Sequence, residues 1–229
     1  MNLNQTQIAL FNFATHFDIM TPINIYAELT PNPNSMKFVA NINLLEGGVV
    51  EYESKEAAVN CPMAVSLFAF SGINKVFITS NFITLNKESD VDWFDVTNII
   101  REFIRGYLMS GEPLFIGSPF DENHVPASAK KTEAKPIEVA AETKERPTIP
   151  TSPELEKKIT ELLEEYVKPA VESDGGAIHF KSFDNGTVSV VLKGACSGCP
   201  SSTVTLKSGI ENLLKQMVPE VHEVIAVAE

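Results

Sequence analysis

Two cysteines separated by two residues are the strongest chemical signal in this sequence. The stretch Cys196-Ser197-Gly198-Cys199-Pro200 holds two of the three cysteines in a chain of 229 residues. Gly198 allows the backbone to turn tightly between the two thiols, since glycine has no Cβ to clash. The spacing lets both sulfurs converge on one small object, which is either the other sulfur or a metal.

A helix is expected to begin directly after this pair. Proline is common at the first helical position, and an apolar pattern of helical period follows Pro200. The N-terminus of that helix would point unpaired N–H groups and the positive end of its dipole at the cysteine loop. We therefore expect a lowered thiol pKa and an anionic bound ligand. Ser201, Ser202 and Thr203 are placed to donate further hydrogen bonds to thiolate or sulfide.

The residues alone leave three interpretations of the pair open. A thiol-disulfide oxidoreductase is one, although the βαβ context of thioredoxin-like motifs is missing. A zinc site is another, but zinc usually takes four ligands, and the remaining donors nearby in sequence, His179 and His222, lack the usual spacing. An iron–sulfur cluster is the third. A cubane cluster takes four thiolate ligands, and the pair in one chain supplies two. A symmetric dimer would supply Cys196 and Cys199 twice.

Composition excludes several classes of function. The net charge is −12 and the pI is near 4.8, which argues against a nucleic-acid surface and against attachment to anionic membranes. No run of about 20 apolar residues is present to span a bilayer. Residues 1–20 lack Lys and Arg and include Asp18, so we predict a cytoplasmic protein. No Ser/His/Asp set or paired-carboxylate spacing is recognisable, and we predict that the protein is not an enzyme.

Residues 22–116 form the first predicted domain, after an ill-defined leader over residues 1–21. Alternating apolar residues predict strands over 23–29 and 36–44, and a hairpin over 76–79 and 82–85. Pro62 and Asp92 mark the starts of two helices. These elements define an α+β domain with a mainly antiparallel sheet and helices on one face. We expect its core to contain the aromatic residues Phe68, Phe70, Phe77, Phe82, Trp93 and Phe103.

Residues 117–152 are predicted to be a flexible linker, because their Ala-, Lys-, Glu- and Pro-rich composition offers little apolar area to bury. Residues 153–229 form the second predicted domain, in the order α-β-β-CxxC-α-β. Its first helix carries an apolar stripe that ends at Pro169, and Asp184-Asn185-Gly186 predicts a hairpin. Asp174-Gly175-Gly176 lacks the following Lys-Ser/Thr of a phosphate loop and is interpreted as a helix-to-strand turn.

Both domains resemble those of the Nfu proteins, which are iron–sulfur cluster carriers. Residues 153–229 are similar to the C-terminal NifU domain, and residues 22–111 to the Nfu N-terminal domain. The first similarity rests on Leu155–Val167 with Lys168-Pro169, on Asp174-Gly175-Gly176, and above all on Gly194-Ala195-Cys196-Ser197-Gly198-Cys199-Pro200-Ser201-Ser202. The second rests on Thr30-Pro31-Asn32-Pro33-Asn34-Ser35-Met36-Lys37-Phe38, Val76-Phe77-Ile78, Asn81-Phe82-Ile83-Thr84-Leu85 and Trp93.

The resemblance implies a homodimer bridged by a [4Fe-4S] cluster, with Cys196 and Cys199 of each subunit as ligands. It implies an upstream scaffold as the cluster donor, apo iron–sulfur proteins as acceptors, and no catalysis. One departure concerns Cys61-Pro62-Met63-Ala64, where the family usually has Ser-Pro-Leu-Ala. We interpret Cys61 as a small buried apolar residue and not as a ligand. A thiol-disulfide oxidoreductase remains the alternative, and an adaptor that binds no metal is a third hypothesis.

Overall fold

The structure is a computed structural model that describes residues 22–88, 90–120, 152–197 and 200–227, with only the backbone described at 200–203. In these residues two β-sheets are present, one of five strands and one of three. Helices accompany both sheets, so the predicted α+β class and two-domain organisation are confirmed. The predicted leader and most of the predicted linker lie outside the described residues, and the exact domain boundaries stay predictions.

The first sheet is antiparallel throughout, with strand order β1-β2-β5-β4-β3. The predicted hairpin over 76–79 and 82–85 is confirmed, and Thr79 pairs with Phe82 across its turn. The predicted strand over 36–44 ends earlier, at Ala40. The strands are β1 (Ile25–Leu29), β2 (Ser35–Ala40), β3 (Val49–Tyr52), β4 (Ile73–Thr79) and β5 (Phe82–Lys87).

Two helices accompany this sheet, α1 (Pro62–Leu67) and α2 (Trp93–Ser110). Pro62 lies in the first turn of α1, as the sequence predicts. The Asp92 side chain caps α2 by accepting a hydrogen bond from the Phe94 N–H at 2.9 Å. Within the described residues, no helix combines the length and apolar character that crossing a membrane requires.

The inner face of the first sheet forms the core with these helices. Side chains alternate between the two faces along each strand, so Val76 and Ile78 of β4 point to the same side. Each large apolar side chain that is fully buried here stabilises the domain by roughly 1.5–3 kcal/mol relative to an exposed one. The largest side chains that are fully buried in this core are Phe38, Met63, Leu67, Ile78, Ile83, Leu85, Ile100 and Ile104.

The outer face of the same sheet is also partly apolar, and this departs from the predicted single core. Phe77 and Phe82 are buried, but they pack with Ala177 of the second domain. Alternation gives the reason, because Phe77 lies between Val76 and Ile78 and must point to the opposite face. The prediction that Phe77 and Phe82 belong to the internal core of the first domain is therefore wrong.

The second domain follows the predicted order. Strand order is β6-β7-β8, in which β6 and β7 are antiparallel and β7 and β8 are parallel. A parallel pair needs a crossover connection, which α5 provides. The elements are α3 (Pro153–Leu162), a π-helical segment (Leu163–Val167), α4 (Lys168–Ser173), β6 (Gly176–Asp184), β7 (Thr187–Gly194), α5 (Pro200–Met217) and β8 (Glu223–Val227).

Local signals explain two of these boundaries. The Ser152 hydroxyl caps α3 by accepting a hydrogen bond from the Leu155 N–H at 3.2 Å. Asn185 and Gly186 have φ values of 46° and 83°, which is the left-handed backbone that a tight hairpin turn requires. The predicted hairpin at Asp184-Asn185-Gly186 is thus confirmed.

Helical structure continues past Pro169, although the apolar stripe predicted an end there. Proline lacks an N–H and its ring clashes with the carbonyl four residues earlier, so it is poorly tolerated inside a regular helix. The π-helical segment precedes this proline and changes the hydrogen-bond register. Pro169 then occupies the first turn of α4, where no intrahelical N–H is needed.

Candidate functional site

Cys196 lies on the turn that leaves β7, two residues after the strand ends at Gly194. We call Gly194–Ser197 the cysteine turn. It is held by hydrogen bonds from the Ser197 N–H and hydroxyl to the Gly194 carbonyl, at 3.2 and 2.9 Å. Cys199 lies outside the described residues, so the structure places one of the two predicted ligands. The helix expected after the pair is present and begins at Pro200.

A second turn packs directly against the cysteine turn. This is Asp174–Gly176, the glycine turn, which connects α4 to β6 as the sequence predicts. The Ala195 N–H donates to the Gly175 carbonyl at 3.1 Å. A Cβ on Gly176 would lie 2.7 Å from the Cys196 sulfur, which is closer than two such atoms can approach. The same Cβ would lie 2.7 Å from the Lys193 backbone carbonyl oxygen, so glycine is required here by the thiol and the backbone together.

The environment of Cys196 is less polar than the sequence suggested. The residue is 6% exposed. Burial raises the pKa of its thiol to about 12, and the Asp174 carboxylate adds to the rise. The expected lowering of the thiol pKa is therefore wrong for Cys196, because burial and the Asp174 carboxylate both shift it upward.

Residues of the first domain bond to the backbone of both turns, while the Cys196 side chain itself belongs to the apolar core of the second domain. The Thr84 hydroxyl donates to the Gly175 carbonyl at 2.7 Å. The Glu51 carboxylate accepts the Gly194 N–H at 2.8 Å. These contacts join β5 and β3 to the two turns, across 91 and 143 residues of sequence.

A further bond comes from the turn between β1 and β2. The Asn32 side chain donates to the Ala195 carbonyl at 3.1 Å and is buried. Its own oxygen accepts the Asn34 N–H at 3.0 Å, which fixes the orientation of the amide. The Trp93 indole N–H donates to the Pro33 carbonyl at 3.1 Å and anchors the same turn to α2. Asn32 is thus held rigidly against the residue that precedes Cys196.

Two lysines complete the contact. The Lys37 ammonium donates to the Ser173 carbonyl at 3.1 Å and lies 4.7 Å from the centre of the Phe82 ring. The Lys75 ammonium donates to the Ser197 hydroxyl at 3.3 Å. Lys75 also pairs with Glu51 at 3.7 Å and with Glu53 at 2.9 Å, so a charged group of the first domain borders the cysteine turn.

These first-domain residues were not predicted as part of the site, although the sequence contains one signal for them. On β4 and β5, apolar residues occupy both faces, since Phe77 and Phe82 fall at positions that alternate with the core. A sheet with two apolar faces must be covered twice. That pattern could have indicated a docking face, but nothing in the sequence identified the turns that cover it.

His222 and Cys61 do not join this site, and the side chains of Ser201, Ser202 and Thr203 lie outside the described part of the chain. The His222 backbone N–H donates to the Gly186 carbonyl at 2.7 Å, at the opposite end of β7 from Cys196. An eight-residue strand spans about 25 Å, so the two cannot share a metal. Cys61 is buried in the first core, where burial raises the pKa of its thiol to about 11. Among the described residues, no three His, Cys, Asp or Glu side chains are grouped as metal ligands would be.

Comparison with known proteins agrees with this two-domain arrangement. Residues 25–111 match the family model "Scaffold protein Nfu/NifU N terminal", and residues 159–225 match the "NifU-like domain". NifU-like protein 5, mitochondrial, of Arabidopsis thaliana is 36% identical over 199 residues, which are 86% of this chain and 65% of that protein. The human "NFU1 iron-sulfur cluster scaffold homolog, mitochondrial" is 34% identical over 206 residues, 90% of this chain and 72% of that protein.

The chain therefore belongs to the NifU-like family of Nfu scaffold proteins, and the resemblance noted from its motifs is confirmed. It spans about two thirds of the length of the curated relatives that it matches. A solved NifU-like protein from Saccharomyces cerevisiae has a TM-score of 0.40 and 21% identity, and the match covers 45% of this chain and 93% of that chain.

The predicted cytoplasmic location is contradicted by these comparisons. The relatives from Arabidopsis and human are named as mitochondrial proteins. The prediction relied on the absence of Lys and Arg from residues 1–20, a stretch that lies outside the described residues. Composition of that stretch alone was an insufficient basis for the location.

Proposed function

We propose that this protein carries an iron–sulfur cluster and transfers it to apo-proteins. The cluster is the cargo of the protein, and Cys196 and Cys199 of two subunits are its ligands. The observation that carries the proposal is the position of the pair between β7 and α5, in the part of the chain that matches the NifU-like domain. Membership of a scaffold family, with a human relative named for iron–sulfur clusters, supports the same function.

The number of donors supports a dimer. A cubane cluster takes four thiolates, and the pair in one chain supplies two. Two chains related by a twofold axis present the same loop to each other, so they complete the ligand set. The proposed cargo is therefore a [4Fe-4S] cluster bridging a homodimer. No residue of the chain needs to act as a catalyst in this scheme.

Two ligands per chain also suit transfer. A cluster held between two turns is not enclosed by either subunit, so thiolates of an acceptor can replace those of the carrier one at a time. An upstream scaffold would load the cluster by the reverse exchange. The acceptors are apo-proteins that supply cysteine ligands of their own.

Anaerobic reconstitution with ferrous iron and sulfide tests this proposal. We expect a broad absorption band in the blue-visible region, a dimeric mass, and about four irons and four sulfides per dimer. Mössbauer spectroscopy then distinguishes a [4Fe-4S] from a [2Fe-2S] cluster. Transfer is followed by the gain of activity of an apo-enzyme that requires a [4Fe-4S] cluster.

Each thiol has its own matched variant in this experiment. Cys196→Ala and Cys199→Ala should both abolish the absorption band and the dimer. Cys61→Ala is the control, because it removes the remaining thiol and should leave both unchanged. A colourless monomer that reduces disulfides would instead establish the oxidoreductase alternative and overturn the proposal.

A further inference from the structure

The outer face of the first sheet is a shaped surface for the two turns of the second domain. We define the cap face as Lys37, Glu51, Lys75, Phe77, Phe82 and Thr84, which lie on β2, β3, β4 and β5. Cross-strand register places them together, since Thr84 pairs with both Lys37 and Phe77, and Phe77 also pairs with Glu51. The face therefore combines an apolar centre with a polar edge.

Its polar groups match the backbone of the turns one by one. Thr84 donates to the Gly175 carbonyl and Glu51 accepts the Gly194 N–H. Lys37 donates to the Ser173 carbonyl. Backbone groups at turns need partners when they are buried, and here the partners come from the other domain.

The apolar centre excludes water from the same contact. Phe77 is fully buried and Phe82 is 5% exposed, and both pack against Ala177 at the start of β6. A Cβ on Gly194 would lie 3.2 Å from the Phe77 ring, so the aromatic face approaches the cysteine turn closely. Two large aromatic residues of this kind contribute much of the energy of a contact.

The space that remains beside the thiol is very small. A cavity of about 20 Å³ lies between the Asn32 turn and Cys196, with Ala195 and Asp174 also on its wall. Such a volume holds about one water molecule. On this side of the thiol, the docked first domain leaves no room for a four-iron cluster or for the cysteine of another protein chain.

We propose that the first domain is a detachable cap on the cysteine turn, and that the capped chain and the cluster-bridged dimer exclude each other. This inference rests on the proposed function, because only a bridging ligand requires Cys196 to face a second subunit. Loading and release of the cluster both require the cap face to leave the two turns. The first domain thereby controls access to the site from the same molecule.

Alkylation of the apo-protein tests the cap without any cluster. In a Cys199→Ser background, Cys196 is the one thiol on its peptide, and its reaction with N-ethylmaleimide is followed by mass spectrometry. Thr84→Val and Asn32→Ala each remove one bond to a turn without altering the second domain. We expect the double variant to react about tenfold faster than its parent at Cys196, since two interdomain bonds are lost.

Two matched controls keep this result specific. Thr79→Val makes the same change in the same sheet, but the Thr79 hydroxyl bonds to the Gly48 carbonyl inside the first domain. Glu211→Gln alters a carboxylate that accepts the Val224 N–H inside the second domain. Neither should change the rate at Cys196. Circular dichroism confirms that each variant is folded, and the single variants Thr84→Val and Asn32→Ala replace the double one if it is not.

Exchange of the Gly194 amide proton gives an independent measurement. Its bond to Glu51 breaks when the cap leaves, so exchange should accelerate in Thr84→Val and in Asn32→Ala but not in Thr79→Val. Unchanged alkylation and unchanged exchange in folded Thr84→Val and Asn32→Ala would overturn the cap.

Cluster loading separates the cap from the proposed function. If both hold, Thr84→Val and Asn32→Ala load iron and sulfide faster than the wild type and reach the same final content. Faster alkylation with no cluster bound would retain the cap and contradict the carrier. A cluster loaded at an unchanged rate, with alkylation also unchanged, would retain the carrier and contradict the cap.

Discussion

Cys61 and Cys196 are both buried thiols with a raised pKa, yet their neighbours make different contacts. Cys61 is fully buried in the core of its own domain, next to α1. Cys196 also belongs to the core of its own domain, but the adjacent Gly194, Ala195 and Ser197 bond to residues of the other domain. The contacts around Cys61 break only when that domain unfolds, whereas those beside Cys196 also break when two folded domains separate.

This difference shows that burial alone does not distinguish a structural cysteine from a functional one. Cys61 lies within one core, and the polar hydroxyl of Tyr52 near it also belongs to the first domain. The residues around Cys196 include buried polar side chains whose partners are backbone groups of another domain. A contact of that kind can break and re-form, because each domain keeps its own core when they separate.

The largest effect is expected when each thiol is removed in turn and cluster binding is compared. Cys196→Ala should remove all cluster absorbance after reconstitution, because a ligand is lost from each subunit. Cys61→Ala should retain the full iron content. Iron and sulfide analysis of the two variants side by side makes this measurement. An equal loss of iron and sulfide in both variants would show that Cys61 is a ligand too, and the two thiols would no longer differ in function.

The second prediction concerns reactivity in increasing urea. Without denaturant, Cys196 should be alkylated at least about a hundredfold faster than Cys61, because opening the core costs most of the stability of the domain. The rate at Cys61 should rise steeply with urea and the rate at Cys196 only slightly, since the dependence follows the surface exposed on opening. Peptide mass spectrometry measures both rates in one sample, with a fully unfolded sample as the reference.

A pH dependence should follow from Cys61. Its pKa rises from 9.0 to about 11 on folding, so the folded state holds the proton that the unfolded state releases in this range. The contribution of this thiol to the free energy of unfolding is fully present below pH 9. It falls by about 2–3 kcal/mol in total as the pH rises from 9 to about 11. Urea unfolding at several pH values should show the decline in wild type and a smaller one in Cys61→Ala.

The smallest effect is expected from Cys61→Ser. Cys61 precedes α1 at the N-cap position, and its side chain makes no capping hydrogen bond. A serine hydroxyl is nearly the same size and is a favoured cap, which offsets the burial of a polar group. The free energy of unfolding should change by less than about 1 kcal/mol. A loss of several kcal/mol would show that the sulfur is essential to the packing of this core.

Sequence reasoning succeeded where the signal was local. Ser152, Pro62, Asp92 and Gly186 mark element ends through backbone chemistry that acts over a few residues. The cysteine pair was identified from a local spacing too, and its role as a ligand pair stays a prediction. The alternation of apolar residues in β4 and β5 was sufficient to predict their hairpin.

The parts that could not be predicted depend on contacts between distant residues. Nothing near Thr84 in the sequence indicates that its hydroxyl binds Gly175, which is 91 residues away. The pKa of Cys196 was predicted in the wrong direction, because the core burial and the Asp174 carboxylate that raise it come from residues distant in sequence. The continuation of the helix past Pro169 required a π-helical register, which a pattern of period 3.6 does not contain.

The order of synthesis follows from the same long separations. Lys37, Lys75 and Thr84 leave the ribosome well before the turns that they contact, which come 136, 122 and 91 residues later. At about 5–20 residues per second, synthesis of the sheet is complete several seconds before the glycine turn is synthesised. During that interval Ala177, which packs against Phe77 and Phe82, has not yet been made. The nascent first domain therefore carries this apolar face before translation supplies the turns that bind it.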